Sequence, residues 1–296
     1  MNVIVVYGPT ASGKTALSLE LAERFGGEVV SADSRQIFRE MEIGTGKIKP
    51  EEMRGIPHHC LDLADPSEDF SVALFVKAAT GAMEDIASRG KTVIVCGGTG
   101  LYLDALLFEF DVPEVPPDKE LRADLETFRL ENGNEALWRK LEAVDPEYAA
   151  QIHPNNSHYV VRGLEVFAKT GKSKASFHTE RKLKFENVAF ATPYDGDRAS
   201  LYARIDARVR KMFADGLFEE AVALMEKYGK TAFGMKCIGY GEAVRYLEGE
   251  FGDPSGKDSP AFEKYENLVA QNSRNYAKRQ ITWNKRYAGL PHLRSQ

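Results

Sequence analysis

The sequence predicts an α/β fold: a P-loop NTPase-like parallel sheet flanked by helices, with a helical insertion domain. Three observations predict it. The apolar run Val3-Ile4-Val5-Val6 leads into Gly8-Pro9-Thr10-Ala11-Ser12-Gly13-Lys14-Thr15, which has the G-x-x-x-x-G-K-[ST] spacing, and an amphipathic helical pattern follows with Leu17, Leu21 and Phe25 on one face. Further buried-strand patterns at 28–32 and 92–96 alternate with helical ones, as in a sheet built from strand–helix–strand units. Between 111 and 187 the strand signal stops and helical patterns dominate.

Composition sets the bounds. A chain of 296 residues, 43% hydrophobic and 28% charged, has material for one large domain or two ordinary ones with an ample core. No run of 18 apolar residues and no signal-peptide pattern occurs, so no membrane association is expected. Cys60, Cys96 and Cys237 are scattered and odd in number, fitting neither a disulfide framework nor a zinc cluster; a reducing cytoplasm is the expected compartment. The net charge of −5 argues against nucleic acid only as an average, because the charge is segregated along the chain.

The first strand and helix frame an anion site. Gly8 and Gly13 let the backbone curl so that amides point inward, the helix start adds its positive end, and Lys14 adds a full charge. The segment Gly8, Pro9, Thr10, Ala11, Ser12, Gly13, Lys14 and Thr15 is therefore the expected seat of a di- or triphosphate, with the Thr15 hydroxyl available to a magnesium ion. The second strand ends in Asp33-Ser34-Arg35-Gln36, and polar residues at the carboxyl end of such a strand lie beside the ligand crevice. Asp33 there could bind metal, accept a proton, or cap a helix.

After Ile43-Gly44-Thr45-Gly46-Lys47, the pair His58-His59 suggests a metal site, but neighbours on an extended segment face opposite ways and no partner at ligand spacing supports them, so a structural role is expected. A helix is expected over 71–88. The third strand closes with Gly97-Gly98-Thr99-Gly100 rather than with the acidic residue that holds magnesium in many P-loop hydrolases, which counts against NTP hydrolysis.

From Asp111 the texture changes. Val112-Pro113-Glu114-Val115-Pro116-Pro117 reads as a stiff connector, helices are expected over 119–131, 134–144 and 156–170, and a basic loop over 172–184 precedes a returning strand at 188–191. The expected organisation is a discontinuous core, 1–110 and 188–296, with a helical insertion at 111–187. A helical stretch over 201–228 carries Arg204 and Arg208 on one face, suited either to clamping phosphate or to pairing with Asp206 and Glu219. Residues 271–287 interleave Arg274, Lys278, Arg279, Lys285 and Arg286 with Tyr276, Trp283 and Tyr287 and contain no acid. That suits a phosphate backbone with stacked bases, or equally a solvated helix with its aromatics inward; the basic 169–184 segment tips the balance toward an RNA-sized partner.

Taken together these motifs resemble the tRNA dimethylallyltransferases over nearly the whole chain. The resemblance rests on Gly8 to Thr15, Ser31-Ala32-Asp33-Ser34-Arg35-Gln36, Ile43-Gly44-Thr45-Gly46-Lys47, Asp65-Pro66-Ser67-Glu68-Asp69, Gly97-Gly98-Thr99-Gly100-Leu101-Tyr102, Ile152-His153-Pro154-Asn155, Arg162-Gly163-Leu164-Glu165-Val166 and Ala277-Lys278-Arg279-Gln280-Ile281-Thr282-Trp283. Gly46 stands where the family usually has Ala, Pro50 comes later than its counterpart, and Gly163 replaces a common Ala. The C-terminal zinc finger of eukaryotic relatives has no counterpart, which implies the bacterial form.

The resemblance implies a prenyl transfer from dimethylallyl diphosphate to N6 of adenosine 37 in tRNA. Asp33 would take the proton, Thr99 would orient the amine, and Lys14, Arg204, the loop amides and Mg2+ near Thr15 would stabilise the departing pyrophosphate. Ser34, Arg35, Gln36, Gly100, Arg162, Arg274, Lys278, Arg279 and Gln280 would contact the tRNA, the insertion would grip the anticodon stem-loop, and the protein would be a monomer. Three rivals remain: an adenylate isopentenyltransferase acting on free AMP, ADP or ATP, a small-molecule P-loop kinase, and an RNA-binding switch. A free nucleotide needs neither the insertion nor the basic C-terminal stretch, and the kinase reading lacks an arginine-rich lid.

Overall fold

The computed structural model describes residues 1–109, 115, 117–177, 182–254 and 256–293. The chain divides into two compact units, Met1–Leu107 with Leu183–Gln296, and Phe108–Lys182. Most of the proline-rich connector, and 178–181 of the basic loop, lie outside the described residues.

The larger unit is organised by five parallel strands in the order β3-β2-β4-β1-β5: β1 (Asn2–Tyr7), β2 (Gly27–Ser31), β3 (His58–His59), β4 (Thr92–Gly97) and β5 (Asn187–Ala191). In β1, Val3, Val5 and Val6 are almost fully buried, because helices cover both faces of a parallel sheet and the strand need not alternate. Ile4 lies in register with Ile94 on one side and Ala189 on the other. Ile4, Val6 and Ile94 pack with Val29 and with Leu21 and Ala22 of α1 (Lys14–Phe25). Helix α2 (Val72–Ser88) starts where the Ser71 hydroxyl accepts the Leu74 amide at 3.2 Å, and α3 (Gly100–Leu107) follows β4 directly.

His58 and His59 form the short edge strand β3, pairing with Val29 and Val30. His59 Nε2 lies 2.8 Å from the carboxylate of Glu28, which also accepts from Arg89 and Lys91. The Arg89 contact, reinforced by Lys91 and His59, outweighs burial and holds this carboxyl far below the ordinary range. His58 Nδ1 lies 2.9 Å from Ile56 O, and its Nε2 is buried with no partner among the described residues; no group of three His, Cys, Asp or Glu among them is placed to hold a metal. The other edge is blunted by the C-terminus: Phe190 N donates to Pro291 O and Leu293 N to Phe190 O, each at 2.8 Å.

The smaller unit is helical: α4 (Lys119–Val144), broken at Gly133, then α5 (Pro146–Ala149) and α6 (Ser157–Thr170). Leu125, Leu137, Leu141, Tyr148 and Val160 form its core. Buried Glu165 accepts Arg122 Nε at 2.7 Å and Asp118 N at 2.8 Å, and pairs with Arg162.

In the rest of the larger unit, the helical stretch expected over 201–228 consists of two helices. They are α7 (Arg198–Ala214) and α8 (Leu217–Tyr228), separated at Gly216, which the uninterrupted apolar spacing concealed. Then come α9 (Tyr240–Leu247) and the long α10 (Pro260–Asn284). Phe213, Phe218, Tyr246, Phe262 and Tyr265 join α7 to α10 through a cluster of edge-to-face rings.

Candidate active site

Strand order assembles the site. β2, β4 and β1 are neighbours, so their carboxyl ends bring the Asp33 loop, the Gly97–Gly100 turn and the phosphate loop into one row. The outer two lie two strand spacings apart, about 10 Å. This is the crevice that an open parallel sheet offers a ligand.

Within the loop, Ala11 adopts the left-handed region (φ +59°), a conformation costly for a non-glycine residue and common at ligand clamps. The Ala11 carbonyl accepts Arg204 Nε of α7 at 3.1 Å, and Lys14 Nζ donates to Pro9 O at 2.7 Å. Ser12 Oγ is buried with no partner among the described residues, so a donor inside the loop awaits an acceptor. Burial lowers the Lys14 pKa, and the charge of Asp33 works against that. Gly8, Pro9, Gly13 and Thr15 complete the curve.

Facing this loop, Asp33 Oδ1 accepts the Arg35 amide at 2.9 Å, which fixes the carboxylate's rotamer. Thr99 Oγ1 accepts Ser34 N at 2.9 Å and donates to Ser34 Oγ at 3.2 Å, locking the Asp33 loop to the end of β4. The Tyr276 phenol of α10 lies beside Thr99 and Asp33, and burial pushes its pKa up to about 12. Gln36 is engaged by Ser31 Oγ at 3.3 Å and by the Gly46 carbonyl at 3.2 Å.

Sequence reasoning offered Arg208 with Arg204 as a phosphate clamp but did not carry Arg208 into the expected site. Arg204 and Arg208 do share a face of α7, but neither pairs as the surface alternative expected: Asp206 is taken by Arg274 and Glu219 by Lys257. Arg208 reaches across Gly46 toward Lys14 and Asp33. The i, i+4 spacing was a signal; which arginine points inward was not legible.

Gln280 differs from its expected role. It is buried, its Oε1 accepts Thr10 N at 2.7 Å and its Nε2 donates to Gly98 O at 2.9 Å. A Cβ on Gly98 would lie 2.3 Å from that nitrogen, so the glycine there serves close approach. The buried Gln280 amide ties the Gly8–Thr15 loop to the end of β4. Of the aromatics in 271–287, Tyr287 is fully buried and donates to Asp104 at 2.7 Å, whereas Trp283, packed on Gly100, and Tyr276 are half-buried. Base stacking on Tyr287 is therefore unavailable, while Lys278 and Arg279 remain exposed. Arg274 is held by Asp206, and Arg162, in the helical unit, by Glu165 and Val115 O. Beside the Asp33 loop, Cys237 abuts Arg35 and borders a cavity of about 350 Å³ lined by Glu242, Arg245, Asn272 and Arg279.

Fold and site define a P-loop α/β protein in which a phosphate-binding loop faces an aspartate–threonine pair across a parallel sheet. Comparison with known proteins narrows the class. The IPP transferase family model matches residues 36–287 and the isopentenyl transferase model residues 1–66. The chain is 41% identical to a tRNA dimethylallyltransferase of Geobacillus thermodenitrificans, over 95% of this chain and 87% of the relative. It is 44% identical to one from Anaeromyxobacter dehalogenans, over 98% and 94%.

Among solved structures it is similar to a full-length tRNA isopentenylpyrophosphate transferase from Bacillus halodurans (39% identity, TM-score 0.68, 99% of this chain and 89% of that one). It is also similar to a eukaryotic dimethylallyltransferase acting on tRNA (32% identity, TM-score 0.77, 96% and 69%). The chain belongs to the IPP transferase family. Among the described residues no helix is long and apolar enough to cross a membrane.

Proposed function

We propose that this chain transfers the dimethylallyl group of dimethylallyl diphosphate to N6 of adenosine 37 in tRNA, releasing pyrophosphate. The observation that carries the reading is the row of strand ends, in which Asp33 and Thr99 face the phosphate loop and its cations. N6 attacks the allylic carbon as the carbon–oxygen bond breaks, and the electron pair leaves with pyrophosphate. Lys14, Arg204, Arg208 and the loop amides stabilise that charge as it builds. The Ser12 hydroxyl, buried without an acceptor, suits a phosphate oxygen. The adenine nitrogen is a poor nucleophile, because its lone pair is delocalised into the ring; Asp33 takes its proton as the new bond forms, and the Thr99 hydroxyl orients the amine.

Magnesium fits this donor set only as a companion of the diphosphate. No three-ligand protein cluster exists among the described residues, and the Thr15 hydroxyl is the loop's own contribution. When bound, it would neutralise part of the diphosphate charge. The target base must leave its stack, costing a few kcal/mol. The 350 Å³ cavity beside Arg35 gives room for a neighbouring nucleotide. Exposed Lys278 and Arg279 on α10, with basic residues of the helical unit, supply the remaining RNA contacts in a cytoplasmic monomer.

The test supplies dimethylallyl diphosphate and magnesium with either an anticodon stem-loop carrying adenines at positions 36 to 38 or free AMP, and weighs the products by mass spectrometry. A five-carbon gain on the RNA alone is expected. A gain on AMP instead would overturn the tRNA reading in favour of an adenylate isopentenyltransferase.

A further inference from the structure

Beside the phosphate loop lies a second, smaller cavity of about 30 Å³. Its polar walls are Thr15 and Ser18 of α1, Ser31 of β2, Gln36, His58 of β3 and Cys96 of β4, and the rest is apolar. The hydrogens of this lining are committed elsewhere. Ser18 Oγ donates to Thr15 O at 2.8 Å, Ser31 Oγ to Gln36 Oε1 at 3.3 Å, and Gln36 Nε2 to Gly46 O at 3.2 Å. His58 Nδ1 lies 2.9 Å from Ile56 O, and a carbonyl can only accept, so the ring proton sits on Nδ1. Burial lowers the His58 pKa, which keeps the ring neutral near neutral pH. Nε2 is then a buried lone pair without a partner among the described residues.

The cavity therefore presents acceptors, with the Cys96 thiol as a weak donor at most. A phosphate oxygen is refused there, because it brings no hydrogen. Water fits, and a volume of this size holds about one or two molecules. Water bound to a divalent cation fits better, because its oxygen faces the metal, its hydrogens point outward, and the charge strengthens them as donors. Mg2+ gives up its waters reluctantly and keeps several of them when it binds phosphates. Thr15, whose hydroxyl is the loop's own contribution to that ion, lines the same cavity. We infer that this cavity is an outer-sphere magnesium site: a water of the hydrated ion donates to His58 Nε2, and Ser31 Oγ offers a further acceptor in the same space. His58 is a positioning residue, holding the ion through its hydration shell while touching neither metal nor diphosphate. This rests on the proposed function only in taking a magnesium–diphosphate pair as the ligand.

The test is calorimetric titration with inorganic pyrophosphate, once with magnesium and once with EDTA. The wild type is expected to bind more tightly with magnesium. His58→Asn keeps a donor toward Ile56 O and deletes the Nε2 end. Its affinity with magnesium should fall about fivefold, the scale of one hydrogen bond, and stay within about twofold of the wild type in EDTA. His58→Gln returns an acceptor at that reach and should recover most of the loss. Ser31→Val fills the cavity from the strand side, leaves the histidine in place, and should show the same magnesium-restricted loss; it decides the question if His58→Asn does not fold. An equal loss in EDTA, as a merely structural histidine would give, would overturn the inference. So would unchanged affinity with magnesium in these variants, as an internal water alone would give, or a wild type indifferent to magnesium. Pyrophosphate binding needs no acceptor, so a wild type that prenylates nothing would sink the proposed function and still leave this comparison readable.

Discussion

The residue to which the proposed function assigns the proton is Asp33, whose one oxygen is tied to the Arg35 amide while Thr99 ties the same loop to β4. Asp33→Asn keeps the shape and removes the base. Single-turnover prenyl transfer is expected to fall by about 10²–10⁴, with pyrophosphate and RNA affinity nearly unchanged; full turnover in this variant would exclude Asp33 as the proton acceptor. Arg208 is the complementary case on the leaving-group side. Its guanidinium lies where burial disfavours charge, and the Asp33 carboxylate offsets part of that cost.

At the scale of elements, α10 reaches the phosphate loop through one amide. Gln280→Leu fills the same space but strands Thr10 N and Gly98 O, which costs about 1–3 kcal/mol for a buried group. A lower melting temperature together with weaker pyrophosphate binding is the expected result, and an unchanged phosphate affinity would mean that the loop holds its curve unaided. In the helical unit, α4 and α6 are joined by Glu165. Burial would raise its pKa, but the Arg122, Asp118 amide and Arg162 hydrogen bonds win and take it from 4.5 to about 2. A depressed carboxylate stabilises the fold above its unfolded pKa and loses that contribution as pH falls through the folded value. Resistance to denaturant should thus fall as pH drops from about 4.5 to 2, and Glu165→Gln, less stable at neutral pH, should flatten that dependence.

Over the whole molecule, charge is segregated rather than neutral. A chain of net charge −5 exposes Lys278 and Arg279 on α10, where Tyr287 is sealed inward. If that face meets an RNA backbone, replacing both cations by Ala should reduce the salt dependence of stem-loop binding by about one or two counterions. Titrations over a range of salt concentration measure this directly. An unchanged slope would move the RNA contact elsewhere.

The sheet-and-helix class was legible in the sequence, because its signals are local: a spacing of glycines, apolar runs, polar residues at strand ends. The same local signals nominate the P-loop segment, Asp33 and Thr99 as candidates and mark a change to helical texture beyond the third strand. The sequence did not reveal that Gly216 separates two helices within 201–228, that Gln280 holds Thr10 and Gly98, that Tyr287 is sealed in the core, or that Arg208 lies against Gly46. Each of these depends on what a residue meets from another part of the chain. Thr10 and Gln280 are 270 positions apart, and Gly46 and Arg208 are also remote in sequence. Side-chain periodicity says which way a residue points on its own element; only packing says what is waiting there.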